Sequence, residues 1–263
     1  MSLLLWIVVF SLLGGVLSVL LAALFLVLSQ NLRRRLLPGL VSFAIGALLA
    51  AAFVGLLPRA FELAPNATHA LGATLLAGIL LFFLLEKMVL WRHSHAGHSF
   101  AEGHAHGAHN DAELAAGGAG VLILLGDAIH NLVDGVLIGA AFLTDVHLGV
   151  LTSIAVAAHE LPQELGDFAI LLHSGMKART ALILNLLTGL ATVLGAVLAY
   201  FSLDQGWLPY VLALAAASFI YVAVADLIPG LHRSTALPTT FRQVILIALG
   251  VGVVLGSHAL MRQ

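Results

Sequence analysis

Eight stretches of this chain are apolar over roughly the 20 residues that a helix needs to cross a hydrocarbon core. They lie at about 3–28, 38–58, 69–91, 119–143, 147–173, 179–201, 207–230 and 241–261. Few folds accommodate that pattern. Of the 263 residues, 61% are apolar and 9% are charged, against about 25% charged in ordinary soluble domains. So little charge could not cover a water-soluble core, and barrel strands would be shorter and alternating. The expected fold class is all-α: a polytopic membrane bundle of about eight transmembrane helices, one membrane domain over residues 1–263. The first stretch reads as a mature span, being too long for a signal h-region and followed, not preceded, by Arg33, Arg34 and Arg35. A net charge of −2 gives nucleic acid no footing, and the lack of cysteine excludes disulfides and thiolate metal sites.

The basic residues orient the chain. Arg33, Arg34, Arg35, Lys87, Arg92, Lys177, Arg179, Arg233 and Arg242 fall in one set of alternate gaps, and only Arg59 and Arg262 in the other. The positive-inside rule then places both termini outside and the gaps after spans 1, 3, 5 and 7 in the cytoplasm. The longest gap, 92–118, contains "HSHAGHSFAEGHAHGAHN". Its Gly, Ala, Ser and His composition cannot build a core, so a flexible cytoplasmic loop is expected. Its histidines, His93, His95, His98, His104, His106 and His109, are candidates for weak metal capture by neutral imidazole.

Two spans break the apolar pattern. Span 4 carries Asp127, His130, Asn131 and Asp134 at i, i+3, i+4 and i+7, which is one helical face. Span 5 repeats the spacing with Glu160, Gln163, Glu164 and Asp167, and His159 stands beside them. A carboxylate at mid-membrane costs about 2.5–3.5 kcal/mol on insertion scales. Neither span holds Lys or Arg to neutralise its carboxylates. They must face one another, water, protons or a metal. Imidazole nitrogen combined with carboxylate and amide oxygen suits zinc, iron, manganese or cobalt, whereas magnesium and calcium sites are built from oxygen alone. Pro162 deprives the Ala158 carbonyl of its helical partner and should kink the helix beside the site. Gly135 and Gly166 are expected to permit close helix approach.

"HNLVDG" at 130–135 and "HELPQELGDFAIL" at 159–171 resemble the signatures of spans 4 and 5 in the ZIP (Zrt/Irt-like) metal transporters, nearest the subfamily with HNxxDG and HExPHExGD. "LLEKMVLWRHSH" and "YVAVADLIPGLH" are similar to the ends of spans 3 and 7 in that family. The resemblance implies transport of a divalent metal, chiefly zinc, into the cytoplasm through a site between helices 4 and 5, with cadmium, iron, manganese and cobalt as further cargoes. It carries over His130, Asn131 and Asp134 from span 4, and His159, Glu160 and residue 163 from span 5. Some members bind two adjacent metals, the second at Asn131, Asp134, Glu160 and residue 163. Members move one helix bundle against another and often dimerise, so a homodimer in a lipid bilayer is expected, in a bacterial inner membrane. The chain departs from the subfamily at Gln163, where His is usual, and supplies no carboxylate from span 6.

Glu164 is a further candidate ligand. Asp127, Asp167 and Asn185 are candidates for the transport pathway, Asp127 as a partner of the His130 imidazole. Two other functions compete with transport: an intramembrane zinc-dependent hydrolase, and a metal channel or sensor. "HELPQ" lacks the second His of HExxH, in which two histidines one turn apart hold zinc and the Glu acts as base. An enzyme is therefore not expected.

Overall fold

A computed structural model describes residues 2–98, 108–232 and 237–261; side chains of Glu86, residues 88–123, His173 and 258–261 fall outside that description. The described residues form eight long helices: α1 (Leu3–Val27), α2 (Gln30–Leu63), α3 (Thr68–His98), α4 (Ala108–Thr144), α5 (Val146–His173), α6 (Ala178–Ser202), α7 (Leu208–Leu231) and α8 (Leu237–Met261). Seven stretches within them are long and apolar enough to cross a membrane. The exception is α5. Its 28 residues suffice in length, but its own His and carboxylates dilute its apolarity, the same residues that make it functionally interesting.

Two expectations change. The stretch 92–118 is not all loop: the backbone stays helical to His98 and is helical again from Ala108. "AELAA" within it is made of good helix formers, which sustain helix beside the Gly and His that signal loop. Only 99–107 separate the two helices, and these residues, with His104 and His106, lie outside the described set. Helix α2 starts eight residues earlier than the expected 38, because Arg33, Arg34 and Arg35 continue the helix past the apolar stretch.

The helices associate in two groups. Helix α4 lies along α6, and α1 and α5 complete the first group; α2 pairs with α8 and α3 with α7 in the second. Between the groups, α5 packs on α2 and α4 on α7. The α4–α6 contact is backbone to backbone. A Cβ at Gly135 would meet the Thr192 carbonyl oxygen, and a Cβ at Gly195 would meet that of Leu132. With no hydrophobic force between helices in lipid, such small-residue seams supply dense van der Waals packing. Gly166 plays no such part, since among the described residues a Cβ there would meet nothing within 4 Å. It faces away from the neighbouring helices, so its proximity to Asp167 in sequence was misleading.

Helices α2 and α7 each contain a wide π turn, Ala51–Leu56 and Val222–Leu227, ending two residues before Pro58 and Pro229. Each proline lacks the N–H that would continue the ordinary ladder. The apolar core, which includes Ile45, Leu48, Phe142, Leu151 and Phe219, fills the space between the two groups.

Candidate metal centre

The periodicity of α4 and α5 sets the site. Residues three and four apart share a helical face, and the two polar faces meet. His130, Asp134, His159 and Glu160 each place one ligand atom within 4.8 Å of all the others. The Nε2 atoms of His130 and His159 are 3.3 Å apart. His159 Nε2 lies 3.2 Å from Asp134 Oδ2 and 3.7 Å from Glu160 Oε1. His130 Nε2 lies 3.4 Å from Glu160 Oε1 and 3.8 Å from Asp134 Oδ2. Phe219 of α7 closes one side, its ring edge-on to His159.

The orientation of His159 can be read from its hydrogen bond. Nδ1 lies 3.1 Å from the Ala155 carbonyl oxygen. A carbonyl only accepts, so Nδ1 must donate, and neutral His159 then presents a lone pair at Nε2. That lone pair points among carboxylate oxygens that are acceptors themselves. Both carboxylate oxygens of Asp134 and of Glu160 are buried, and among the described residues none meets a hydrogen-bond donor. The His159 lone pair and the Asp134 and Glu160 carboxylates converge in an apolar bundle, an arrangement that favours a cation, proton or metal, between them.

Glu160 also belongs to a second group, with Asp127 and Glu164, whose carboxylate atoms again lie within 4.8 Å of one another. Glu164 is fully buried, and among the described residues neither of its oxygens meets a donor. The two groups share Glu160 and so form a continuous row of ligand atoms.

Asn131 is held differently from the histidines. Its amide nitrogen donates to Asp127 Oδ1 at 2.9 Å, and its oxygen accepts from Thr192 Oγ1 of α6 at 2.6 Å. A second lone pair remains on that oxygen. Nothing in a one-dimensional pattern pairs Thr192 with a residue 61 positions away. Asn185 is fully buried on α6, its side-chain amide without a hydrogen-bond partner among the described residues. Gln163 and Asp167 are half-buried on α5. The side chains of His93, His95, His98 and His109 lie outside the described residues.

A family model described as ZIP zinc transporter matches residues 2–119 and 92–258, nearly the whole chain. The chain belongs to the ZIP zinc transporter family. It is 41% identical over 136 residues to zinc transporter foi of Drosophila melanogaster, covering 51% of this chain and 19% of that protein. It is 44% identical over 113 residues to human zinc transporter ZIP4, covering 43% of this chain and 18% of the relative. Human zinc transporter ZIP10 is 39% identical over 150 residues, 55% of this chain and 18% of the relative. The matched segment thus spans under a fifth of these curated relatives. All three are animal proteins, so they lend no support to a bacterial membrane. The apolar helices and the family together make the chain an integral membrane protein.

Proposed function

We propose that this ZIP-family chain carries divalent metal, zinc foremost, across the membrane into the cytoplasm through the row of ligands between α4 and α5. The observation that carries this is the convergence of the His159 Nε2 lone pair, His130 Nε2 and donorless oxygens of Asp134 and Glu160. Two imidazole nitrogens and two carboxylates form a ligand set of the kind that zinc takes in tetrahedral coordination.

In this reading His130, Asp134, His159 and Glu160 hold the incoming ion. Asp127, Glu160 and Glu164 form the next position, which an ion reaches without leaving Glu160. Asn131 offers its remaining lone pair, and Gln163 supplies a neutral oxygen one turn beyond His159. Asp167 and Asn185 continue the pathway, and the histidines of 93–109 collect metal where the basic residues place the cytoplasm. The same charge bias supports both termini outside. Iron, manganese, cobalt and cadmium are secondary cargoes, and a homodimer is the working assembly. Transport needs a site strong enough to load and weak enough to empty, which a row of shared, mixed nitrogen and oxygen ligands provides. The ZIP family consists of transporters, not enzymes, and "HELPQ" lacks the second histidine of the hydrolytic HExxH motif.

Purified protein in liposomes loaded with a zinc-sensitive dye provides the test. Zinc-dependent signal from wild-type vesicles, absent when both His130 and His159 are Ala, is expected. Equal signal from wild-type and empty vesicles would reject transport.

A further inference from the structure

On the arginine-bearing side of the molecule a cavity of about 650 Å³ opens between the two helix groups. Leu24 of α1, Phe43 of α2, Leu161 of α5 and Leu246 of α8 contribute to its walls. Among the described residues its charged lining consists of Arg35 at the start of α2 and Arg242 at the start of α8. Arg242 Nη2 donates to the Arg35 carbonyl oxygen at 3.3 Å, which brings the two residues together. Among the described residues neither forms an ion pair, and the lining includes no carboxylate. From Arg35 to Phe43 the groove runs about two turns along α2, roughly 12 Å into the bilayer.

A cationic mouth over an apolar slot at membrane depth has the complement of an amphiphile with an anionic head and an alkyl tail. Guanidinium groups pair with phosphate oxygens in a planar, bidentate fashion, and anionic lipids gather at juxtamembrane basic residues. We propose that this groove holds an anionic glycerophospholipid, its phosphate between Arg35 and Arg242 and an acyl chain along Leu24, Phe43 and Leu161. Leu161 stands between Glu160 and Pro162 on α5. The bound tail therefore touches the turn that carries a metal ligand, at the seam where α5 meets α2. Resting on the transport reading above, the lipid would set how far the first helix group can shift against the second.

Native mass spectrometry of the full chain in detergent, offered phosphatidylglycerol or phosphatidylcholine with identical chains, tests the site without involving zinc. Wild-type protein should retain phosphatidylglycerol with a preference on the order of tenfold. R35Q/R242Q should lose the preference, whereas Arg179→Gln, an exposed arginine elsewhere, should keep it. Should the double variant fail to fold, Gly39→Phe serves instead. A Cβ at residue 39 already meets Leu246 Cδ1 at 3.2 Å, so the ring fills the groove and should expel the lipid with both arginines intact. No preference in wild type, or a preference that survives R35Q/R242Q or Gly39→Phe, overturns the proposal. A dimer that dissociates in the double variant with lipid retention unchanged would assign the groove to a second copy and likewise overturn it. Because no metal is present, failure here leaves the transport reading standing. Wild-type vesicles that take up no more zinc than empty ones, with lipid retention intact, would reject transport and spare the groove.

Discussion

His130 and His159 face each other across the α4–α5 contact with their Nε2 atoms 3.3 Å apart. They sit on different helices, 29 residues apart in sequence, and neither ring nitrogen can donate to the other if both are neutral acceptors there. A metal ion resolves that geometry by accepting from both. Replacing either with Ala removes a nitrogen ligand while leaving the apolar packing in place. Zinc affinity should fall at least about tenfold, the low end of what even an outer partner of a metal ligand is worth. Isothermal titration on detergent-solubilised protein measures it. Unchanged affinity in the double variant would remove both residues from the site.

Thr192→Val tests a different kind of contribution. Valine keeps the shape and removes the donor to Asn131 Oδ1. Hydrogen bonds between membrane helices average about 0.6 kcal/mol and reach about 1.7 kcal/mol. Stability in a reversible detergent-unfolding assay should fall within that range, while zinc affinity changes far less than in the histidine variants. A loss of affinity as large as that of His159→Ala would make the Thr192–Asn131 contact part of the ligand set, not its support.

The two glycines that looked equivalent in sequence should behave oppositely. Gly135→Ala drives a Cβ into the Thr192 carbonyl oxygen and must push α4 away from α6, so a loss of a few kcal/mol is expected, in the range that overpacking brings. Gly166→Ala meets open space and removes a helical glycine, which should stabilise by about 0.5–1 kcal/mol. Unfolding of the two variants side by side decides; equal effects would contradict the seam described here.

That contrast shows what a single sequence can and cannot reveal. Helix number and class were legible because the bilayer demands roughly 20 apolar residues per crossing. The clustering of His130, Asp134, His159 and Glu160 was legible because the 3.6-residue period puts each stripe on one face, and buried carboxylates without Lys or Arg must meet something. Which face of α5 opposes which helix is a tertiary matter. Gly166 therefore looked like Gly135, and Asn131 could not be seen to be turned toward Asp127 and Thr192. Nor could the pattern show that Glu160 belongs to two groups of candidate ligands, or that Arg35 and Arg242, separated by 207 residues, meet over one groove. The ends of α3 and α4 were misplaced for a local reason: glycine and histidine signal loop, but alanine and glutamate beside them sustain helix.

Acid should weaken zinc binding. Imidazole binds metal only when neutral and carboxylate only when ionised, so each bound ion displaces protons. With the ordinary imidazole pKa at about 6.5, lowering the pH from about 7.5 to about 5.5 shifts the balance toward protons. Apparent zinc affinity should therefore decrease monotonically as pH falls. Titrations across that range test the sign; affinity that rises with acidity would mean that protonated groups, and not these ligands, hold the metal.

Gln163 is the position at which this chain should respond most informatively to change. It follows His159 by one turn of α5 and Glu160 by three residues, so its side chain leaves the helix on the site-bearing face. It is half-buried. Gln163→His places an imidazole where a neutral amide stands, and imidazole is the better zinc ligand. The four existing donors would then compete with a third nitrogen for one ion. Zinc affinity should rise at least about tenfold, since gaining a direct ligand should match the smallest effect of losing an indirect one. Release must slow accordingly, so maximal zinc flux in liposomes should stay level or fall even as half-saturation improves. Gln163→Glu adds a charged, harder oxygen and should raise manganese transport relative to zinc. Affinity and flux measured together on both variants separate a ligand from a bystander. If neither variant shifts zinc affinity or the manganese-to-zinc ratio, the side chain at 163 does not touch the metal, and the site closes with His130, Asp134, His159 and Glu160 alone.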